Sequence, residues 1–442
     1  MLFTFLKYLQ PTHYFQCTDV NGNSIFPKYH LLEESVKAQL TKDLLFSSEN
    51  AQNYDLSWQA IQKGYVGDAE RFQVFETLPL VDNYRFIRKY FNSVWVFYVL
   101  LLRLISFKNP FKEISAWMRS KNMKRANLAQ NPLDRSAWAF FNSELISNAP
   151  KVSVIIPTLN RYPELTNVLK DFENQSYSNF EIIVVDQSDD FNRNFYDQFK
   201  LDFKIINQKE KALWLARNTA IKSSANEIIA LSEDDVRFEK DWLFNHLKCL
   251  DFFNCDISAG VFYPEGGQMP KERSFFARSS QFATGNTVLY KKVFKKVGLF
   301  DRQFEKQRMG DGEFGLRAFK AGVKSVSNPK AYCLDVKAAS GGLREMGSWD
   351  AFRPTNLLAP RPVPSVVYFF RRYYGKKRTR LSLLRTVPLS IMPYQFKKNK
   401  MAMVLGALVT VLLLPFVIFQ VLKSWNLAKN KIKQGPLIET LA

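Results

Sequence analysis

Histidine and cysteine are scarce in these 442 residues, three of the first and four of the second. Cys17, Cys249, Cys255 and Cys333 show no paired spacing that would hold a metal. The opening MLFTFLKYLQ lacks a small-residue cleavage site, so no cleavable secretory leader is expected, and reduced thiols in a cytosolic compartment are the simplest account. Internal repeats are missing, and so is low complexity outside one basic segment. Acids nearly vanish from the last fifth: residues 351–442 carry sixteen Lys or Arg and one acid, Glu439, so about +15 of the formal +21 lies there. What is abundant excludes disorder. With 46% apolar and 15% aromatic residues, the chain can bury a large core in two or three units.

Such a charge balance implies an anionic partner. In the basic aromatic segment 346–400, Arg371, Arg372, Lys376, Lys377, Arg378 and Arg380 interleave with Tyr368, Phe369, Phe370, Tyr373 and Tyr374. That pattern suits anionic membrane lipids, with nucleic acid as the rival reading. Residues 401–422 follow without a formal charge, long enough to cross about 30 Å of hydrocarbon, and are expected to form a transmembrane helix. A buried core helix competes, although only Thr410 and Gln420 offer a polar face; Pro415 leaves room for a kink or a re-entrant hairpin. Cations are denser before this stretch than in the short basic tail 423–442, which points to the cytoplasmic membrane with the main body in the cytoplasm. No nucleic acid is expected as a partner, because a long apolar helix beside the charges favours lipid.

Residues 1–130 read as a helical N-terminal region, with an amphipathic helix over 29–45 and an apolar run at 93–107. That run is short for a span and is interrupted by Arg103; an interfacial helix with Trp95, Phe97 and Tyr98 at the headgroups competes with a plain buried helix. From 151 onward apolar strands alternate with helices: strands at 152–156, 181–185, 203–206 and 227–231, helices at 163–175, 213–223 and 240–249. This order implies a parallel α/β sheet, which binds ligands at the carboxyl ends of its strands. Those ends fall at 157–161, 186–190 and 232–235.

Glu233, Asp234 and Asp235 follow a buried strand directly, and like charges so close call for a cation. Oxygen ligands of this kind suit Mn²⁺ or Mg²⁺, which keep positions open for a substrate diphosphate. A helix cap is the competing reading.

The segments VSVIIPTLNR, FEIIVVDQSDD, LARNTAI, IIALSEDDV, GNTVLYKKVFKKVGLFDRQF and GDGEFGLRAFKAG, in this order and spacing, resemble glycosyltransferase family 2. The resemblance spans about 190 residues and implies a GT-A domain over 151–345, Rossmann-like, with a nucleotide-sugar donor and an inverting mechanism. Carried onto this sequence, it implies that Pro157, Thr158, Asn160 and Arg161 form the first loop around the nucleoside. Asp186 would bond the base, with Ser188 and Arg217 assisting, and Asp234 would face the ribose. Glu233, in place of the commoner Asp, and Asp235 would hold the metal. Asp311 matches the general base, although Gly310 stands where relatives more often have Glu. Glu313 and Arg317 read better as a helix-borne pair fixing the loop. Asp335, before SGGLR at 340–344, falls where relatives often place a metal-binding His; a carboxylate can serve there, and a solvated Asp is the competing reading. His13, His30 and His246 do not fit that place. Trp349 reads as core sooner than as a sugar platform.

The function expected is transfer of a sugar to a hydroxyl of a glycan or lipid-linked acceptor at the cytoplasmic membrane face, in bacterial cell-surface polysaccharide or glycolipid synthesis. A polyprenyl-phosphate acceptor would scarcely need Asp311. The Gln-x-x-Arg-Trp motif of processive synthases is missing. Two further readings compete with the enzyme: a catalytically silent nucleotide-sugar-binding module, and a basic membrane or nucleic-acid binder.

Overall fold

The computed structural model describes residues 1–279, 282–336, 342, 350–354, 356–393, 396 and 399–441. It divides into two compact units, Met1–Asp134 with Phe370–Leu389, and Arg135–Phe369 with Ser390–Ala442.

The first unit is helical around an aromatic core. Its main helices are α1 (Glu49–Gln62), α2 (Leu80–Tyr90), α3 (Ser93–Ile105) and α4 (Pro110–Arg119). Ser48, Asn92 and Asn109 cap α1, α3 and α4 by accepting backbone N–H bonds, and Pro110 enters α4 in the first turn, where its missing N–H costs nothing. Phe3 stacks on Phe86 at 3.9 Å, and Trp58 meets Phe86 edge-on. Inside this core Lys89 bridges Asp55 (2.7 Å) and Asp43 (2.9 Å), so the buried charges are paired. The helix expected over 29–45 does not form; only a 3₁₀ turn at Tyr29–Leu31 and one turn at Glu34–Lys37 are helical. The Gln59 side chain accepts from the Thr41 N–H (3.1 Å) and donates to the Thr41 carbonyl (2.8 Å), taking the backbone groups a continuing helix needs. The run at 93–107 becomes α3, which buries Val96, Val99 and Leu100 and turns Val94, Phe97 and Leu101 outward.

In the second unit, β1 (Val152–Thr158), β2 (Phe180–Asp186), β3 (Phe203–Asn207) and β4 (Ile228–Ser232) are parallel, ordered β3-β2-β1-β4. Every residue of β1 and β4 is buried, because helices cover both faces; hence the unbroken apolar runs in place of an alternating pattern. Between the strands lie α5 (Tyr162–Glu173), whose Leu165, Val168, Leu169 and Phe172 form one buried stripe, and α6 (Leu213–Ser223).

The sheet then continues through β5 (Val236–Arg237), β6 (Ile257–Pro264), β7 (Ala277–Arg278), β8 (Asn286–Tyr290) and β9 (Ser325–Asp335), with α7 (Trp242–Phe252) and α8 (Gly310–Lys320) packed beside it. The full order is β3-β2-β1-β4-β8-β6-β9-β5, with β7 on β9. The α/β expectation holds, but the sheet is mixed and not parallel throughout: β8 runs antiparallel to both β4 and β6.

C-terminally come α9 (Pro364–Thr386), interrupted at Gly375 with φ +75°, then α10 (Lys400–Leu412) and α11 (Leu414–Gln434). Two expectations change here. Tyr368, Phe369, Phe370 and Tyr374 are buried core residues and not a surface film between the cations. The single helix over 401–422 is instead a pair bent by 88° at Leu413, and no single helix among the described residues is long and apolar enough to cross a membrane. Pro415, in the first turn of α11, lacks the N–H that a continuous helix would use, and its ring would strike the carbonyl four residues back.

Candidate active site

The register pairs Thr158 at the end of β1 with Asp186 at the end of β2, and β4 ends alongside at Ser232. Three carboxyl-terminal strand ends therefore share one edge, and most of the expected residues gather there.

At the acidic turn, the Thr158 hydroxyl donates to Asp234 Oδ2 (2.8 Å), while Arg161 Nη1 donates to Asp234 Oδ1 (3.0 Å) and Asp235 Oδ2 (2.8 Å). Burial pushes the Asp234 carboxyl up, and Arg161 pulls it back. Burial disfavours the Arg161 cation, yet the two carboxylates outweigh it and raise its pKa. Arg161 is expected at the nucleoside; its guanidinium instead spans the acidic turn. Asn160 takes φ +54°, a left-handed conformation that asparagine tolerates, and there exchanges two side-chain bonds with Asp189 while its N–H donates to the Ser188 hydroxyl. Pro157 is buried in β1 beside Val185.

Asp186 is fully buried and accepts from the Tyr162 hydroxyl (2.8 Å), the Tyr196 hydroxyl (2.7 Å) and the Ser188 N–H (2.9 Å). Burial and the neighbouring carboxylate push the Tyr196 hydroxyl well up, so it remains a donor. Neither tyrosine is among the residues expected from the sequence. Tyr162 directly follows the first loop, a position that signals its place in the site; Tyr196 sits in a 3₁₀ turn with no motif. Gln187 was missed as well: it is buried, its Oε1 accepts from the Ala212 N–H (2.7 Å), and its Nε2 finds no acceptor among the described residues. A buried donor in that state costs about 1–3 kcal/mol, and Gln187 shares it with other buried side chains such as Trp58 and Ser424.

Arg217, expected beside the base, lies fully buried beneath the acidic turn. Its Nη1 donates to the carbonyls of Thr284 (2.5 Å) and Ser232 (3.4 Å), and its Nη2 reaches Glu233 Oε1 at 3.5 Å. Gly285 makes room for Glu233: a β-carbon there would collide with the Glu233 side chain. The Thr284 hydroxyl donates to Asp311 Oδ1 (3.3 Å), and Asp311 stands in the first turn of α8. Thr284 thus joins the acidic turn to the expected general base. Gly310, the departure from the family pattern, is explained by Trp214, whose ring occupies the space a β-carbon would need. Glu305 caps the start of α6, accepting from the Trp214 and Leu215 N–H groups. Glu313 and Arg317 form the expected helix pair, and Arg317 also donates to the Leu299 carbonyl.

Asp335 ends β9 opposite Val236, one residue from Asp235. Among the described residues no three His, Cys, Asp or Glu side chains converge as a metal cluster. The donor chemistry still fits: magnesium-type ions need only one or two protein carboxylates beside the substrate's phosphates, and Asp235 already holds a cation, the Arg161 guanidinium. Of the SGGLR stretch only Gly342 is described, donating to the Leu159 carbonyl at 3.0 Å. Trp349 lies outside the described residues. His246 is buried, with Nδ1 on the Ser258 hydroxyl and Nε2 on Asn286 Oδ1.

Residues 153–300 match the sequence profile of Glycosyl transferase family 2. The chain carries a family 2 glycosyltransferase domain. Curated relatives of the domain include glycosyltransferase AglE of Haloferax volcanii, 28% identical over 36% of this chain and 55% of that protein, and glycosyltransferase GlyA of Streptococcus pneumoniae, 28% identical over 36% of this chain and 22% of that protein. This chain therefore spans about half the first relative and under a quarter of the second. Among solved structures, this chain is similar to mannosyltransferase PcManGT of Pyrobaculum calidifontis, in complex with GDP-Man and Mn²⁺ (TM-score 0.43, 17% identity, 67% of this chain and 91% of that one). It is also similar to S. aureus TarS with UDP-GlcNAc (TM-score 0.43, 17% identity, 64% and 92%).

Proposed function

We propose that this chain is an inverting glycosyltransferase that moves a sugar from a nucleoside-diphosphate donor to an acceptor hydroxyl on a glycan or lipid-linked glycan at the cytoplasmic membrane face. The observation that carries the reading is the Thr284 junction. Its carbonyl accepts from Arg217, which reaches Glu233, and its hydroxyl donates to Asp311, so an acidic turn and a separate carboxylate share one buried frame.

Asp311 accepts the proton of the attacking hydroxyl, its carboxylate oriented by the Thr284 hydroxyl. One base suffices, because the departing diphosphate needs no protonation. Asp186, fixed by Tyr162 and Tyr196, and the Gln187 amide face the nucleobase, while Asp234 serves the ribose. Mn²⁺ or Mg²⁺ would be held by Asp235 with Glu233 and Asp335, and would supply Lewis-acid stabilisation of the departing diphosphate. The proton-accepting Asp311 favours a hydroxyl acceptor over a polyprenyl phosphate.

Release of nucleoside diphosphate from a panel of nucleotide sugars, with and without Mn²⁺ or Mg²⁺ and with lipid-linked acceptors, tests the proposal. Metal-dependent turnover of one donor is expected, falling at least ~100-fold in Asp235→Ala and in Asp311→Asn. Nucleotide binding without turnover under every condition would leave the silent module as the correct reading.

A further inference from the structure

The bent pair α10–α11 is built inside out. Along α11 the residues turned toward the protein are Val417, Gln420, Ser424 and Ala428, small or polar for the most part, whereas Phe416, Phe419 and Leu422 are each about half exposed or more. On α10, Leu408 is 60% exposed and Leu412, at the bend, 81%. A helix in water does the reverse.

The ends of this hairpin are fastened to the same body. Before it, the Ser390 carbonyl and hydroxyl accept from Arg361, and Arg361 also donates to Gln420 within α11. In the last turn of α11, Lys431 donates to the Gln303 carbonyl (2.7 Å), and beyond the helix the Leu437 N–H donates to Asp301 Oδ1 (2.9 Å). Asp301 also accepts from Tyr368, at the head of α9, so the segments before and after the hairpin converge on one loop of the catalytic unit. The apolar stretches measure about 20 Å in α10 and about 13 Å in α11 at 1.5 Å per residue, short of the ~30 Å hydrocarbon core.

We propose that α10–α11 is a one-sided membrane wedge, which enters a single leaflet with Leu412 at its tip and returns to the side it came from. The occupant of the exposed apolar face is lipid, for two reasons. The polar-inward pattern matches an apolar surrounding, and the exposed Lys423, Lys429 and Lys433, with no acid before Glu439, suit anionic headgroups where α11 leaves the bilayer. The inference deepens the membrane part of the proposed function but does not require the transfer reaction.

All four native cysteines are buried, so an introduced thiol reports alone. Full-length Asn399→Cys and Lys429→Cys are each expressed in bacteria and labelled with a membrane-impermeant maleimide in inside-out and right-side-out vesicles. Leu412→Cys carries an environment-sensitive fluorophore and is read on vesicles of phosphatidylglycerol and phosphatidylethanolamine. The wedge requires that positions 399 and 429 label in the same vesicle orientation, and that the probe at 412 shifts to the blue and is quenched by spin-labelled lipid. Labelling of 399 and 429 from opposite sides would establish a single span and overturn the proposal. A probe that ignores vesicles but shifts as protein concentration rises would assign the face to a second copy, which also overturns it. Donor turnover by the same preparations is a separate readout, so loss of the enzymatic reading and loss of the wedge are distinguishable.

Discussion

Arg161 binds two carboxylates, and under the proposed function a divalent ion would compete with it for them. Removing it leaves Asp234 buried without its countercharge, and breaking such a pair costs about 3 kcal/mol or more. Arg161→Ala is therefore expected to melt several degrees lower, and millimolar Mn²⁺ to restore more of the lost melting temperature than it adds to the parent protein. Equal metal-induced shifts in the two proteins would mean that the guanidinium and the ion do not compete; thermal denaturation with and without metal measures this without any turnover. At this scale the sequence disclosed the residues that sit at strand ends, because burial of the strand forces the polar residues after it to one edge. It did not disclose Thr284, which serves Asp311 from 27 positions upstream, or Trp214, whose ring excludes the side chain expected at position 310. Contacts made by folding distant segments together leave no local spacing to read.

Elements with one uninterrupted pattern were legible. The helix expected at 213–223 is α6, and the strand expected at 227–231 is β4 shifted by one residue. The antiparallel direction of β8 was not legible, since periodicity carries no direction, and the helix over 29–45 lost to a side chain from α1. Another link between elements is testable through pH. His246 on α7 accepts from Ser258 on β6 through Nδ1 and donates to Asn286 on β8 through Nε2, the tautomer its partners require, and burial lowers its pKa to about 4. The unfolded chain, with a histidine near 6.5, then binds the proton first as pH falls. The stabilisation is present above pH 6.5 and is lost progressively toward pH 4, a loss on the order of 3 kcal/mol. Urea midpoints of the parent protein should drop across that window, and His246→Gln should start lower and drop less. Parallel curves for the two proteins would assign the acid sensitivity elsewhere.

For the whole molecule, length and composition lead to an expectation of two or three units, and neither the assignment of Phe370–Leu389 to the N-terminal unit nor the return of the C-terminal chain to the other unit is part of it. After α11, the Glu439 carbonyl accepts from the Leu299 N–H, the Leu437 carbonyl accepts from the Arg302 N–H, and Glu439 pairs with Lys222 at 2.8 Å. Of the expected short basic tail 423–442, the four lysines lie in α11, and the residues after it form a structural strap. Truncation after Gln434 is expected to lower the thermal midpoint by several degrees, mostly through the lost backbone bonds, since the half-exposed Lys222–Glu439 pair contributes little. Glu439→Ala alone should change it by less than a degree; a large effect of that single substitution would place the strength of the strap in its charge. The loop that receives the strap also supplies Glu305 to the head of α6, and α6 carries Arg217 to Glu233. A continuous row of contacts therefore runs from Lys431 to Gln303, from Glu305 to α6 and from Arg217 to Glu233, so the hairpin and the acidic turn are anchored to one loop, 301–305.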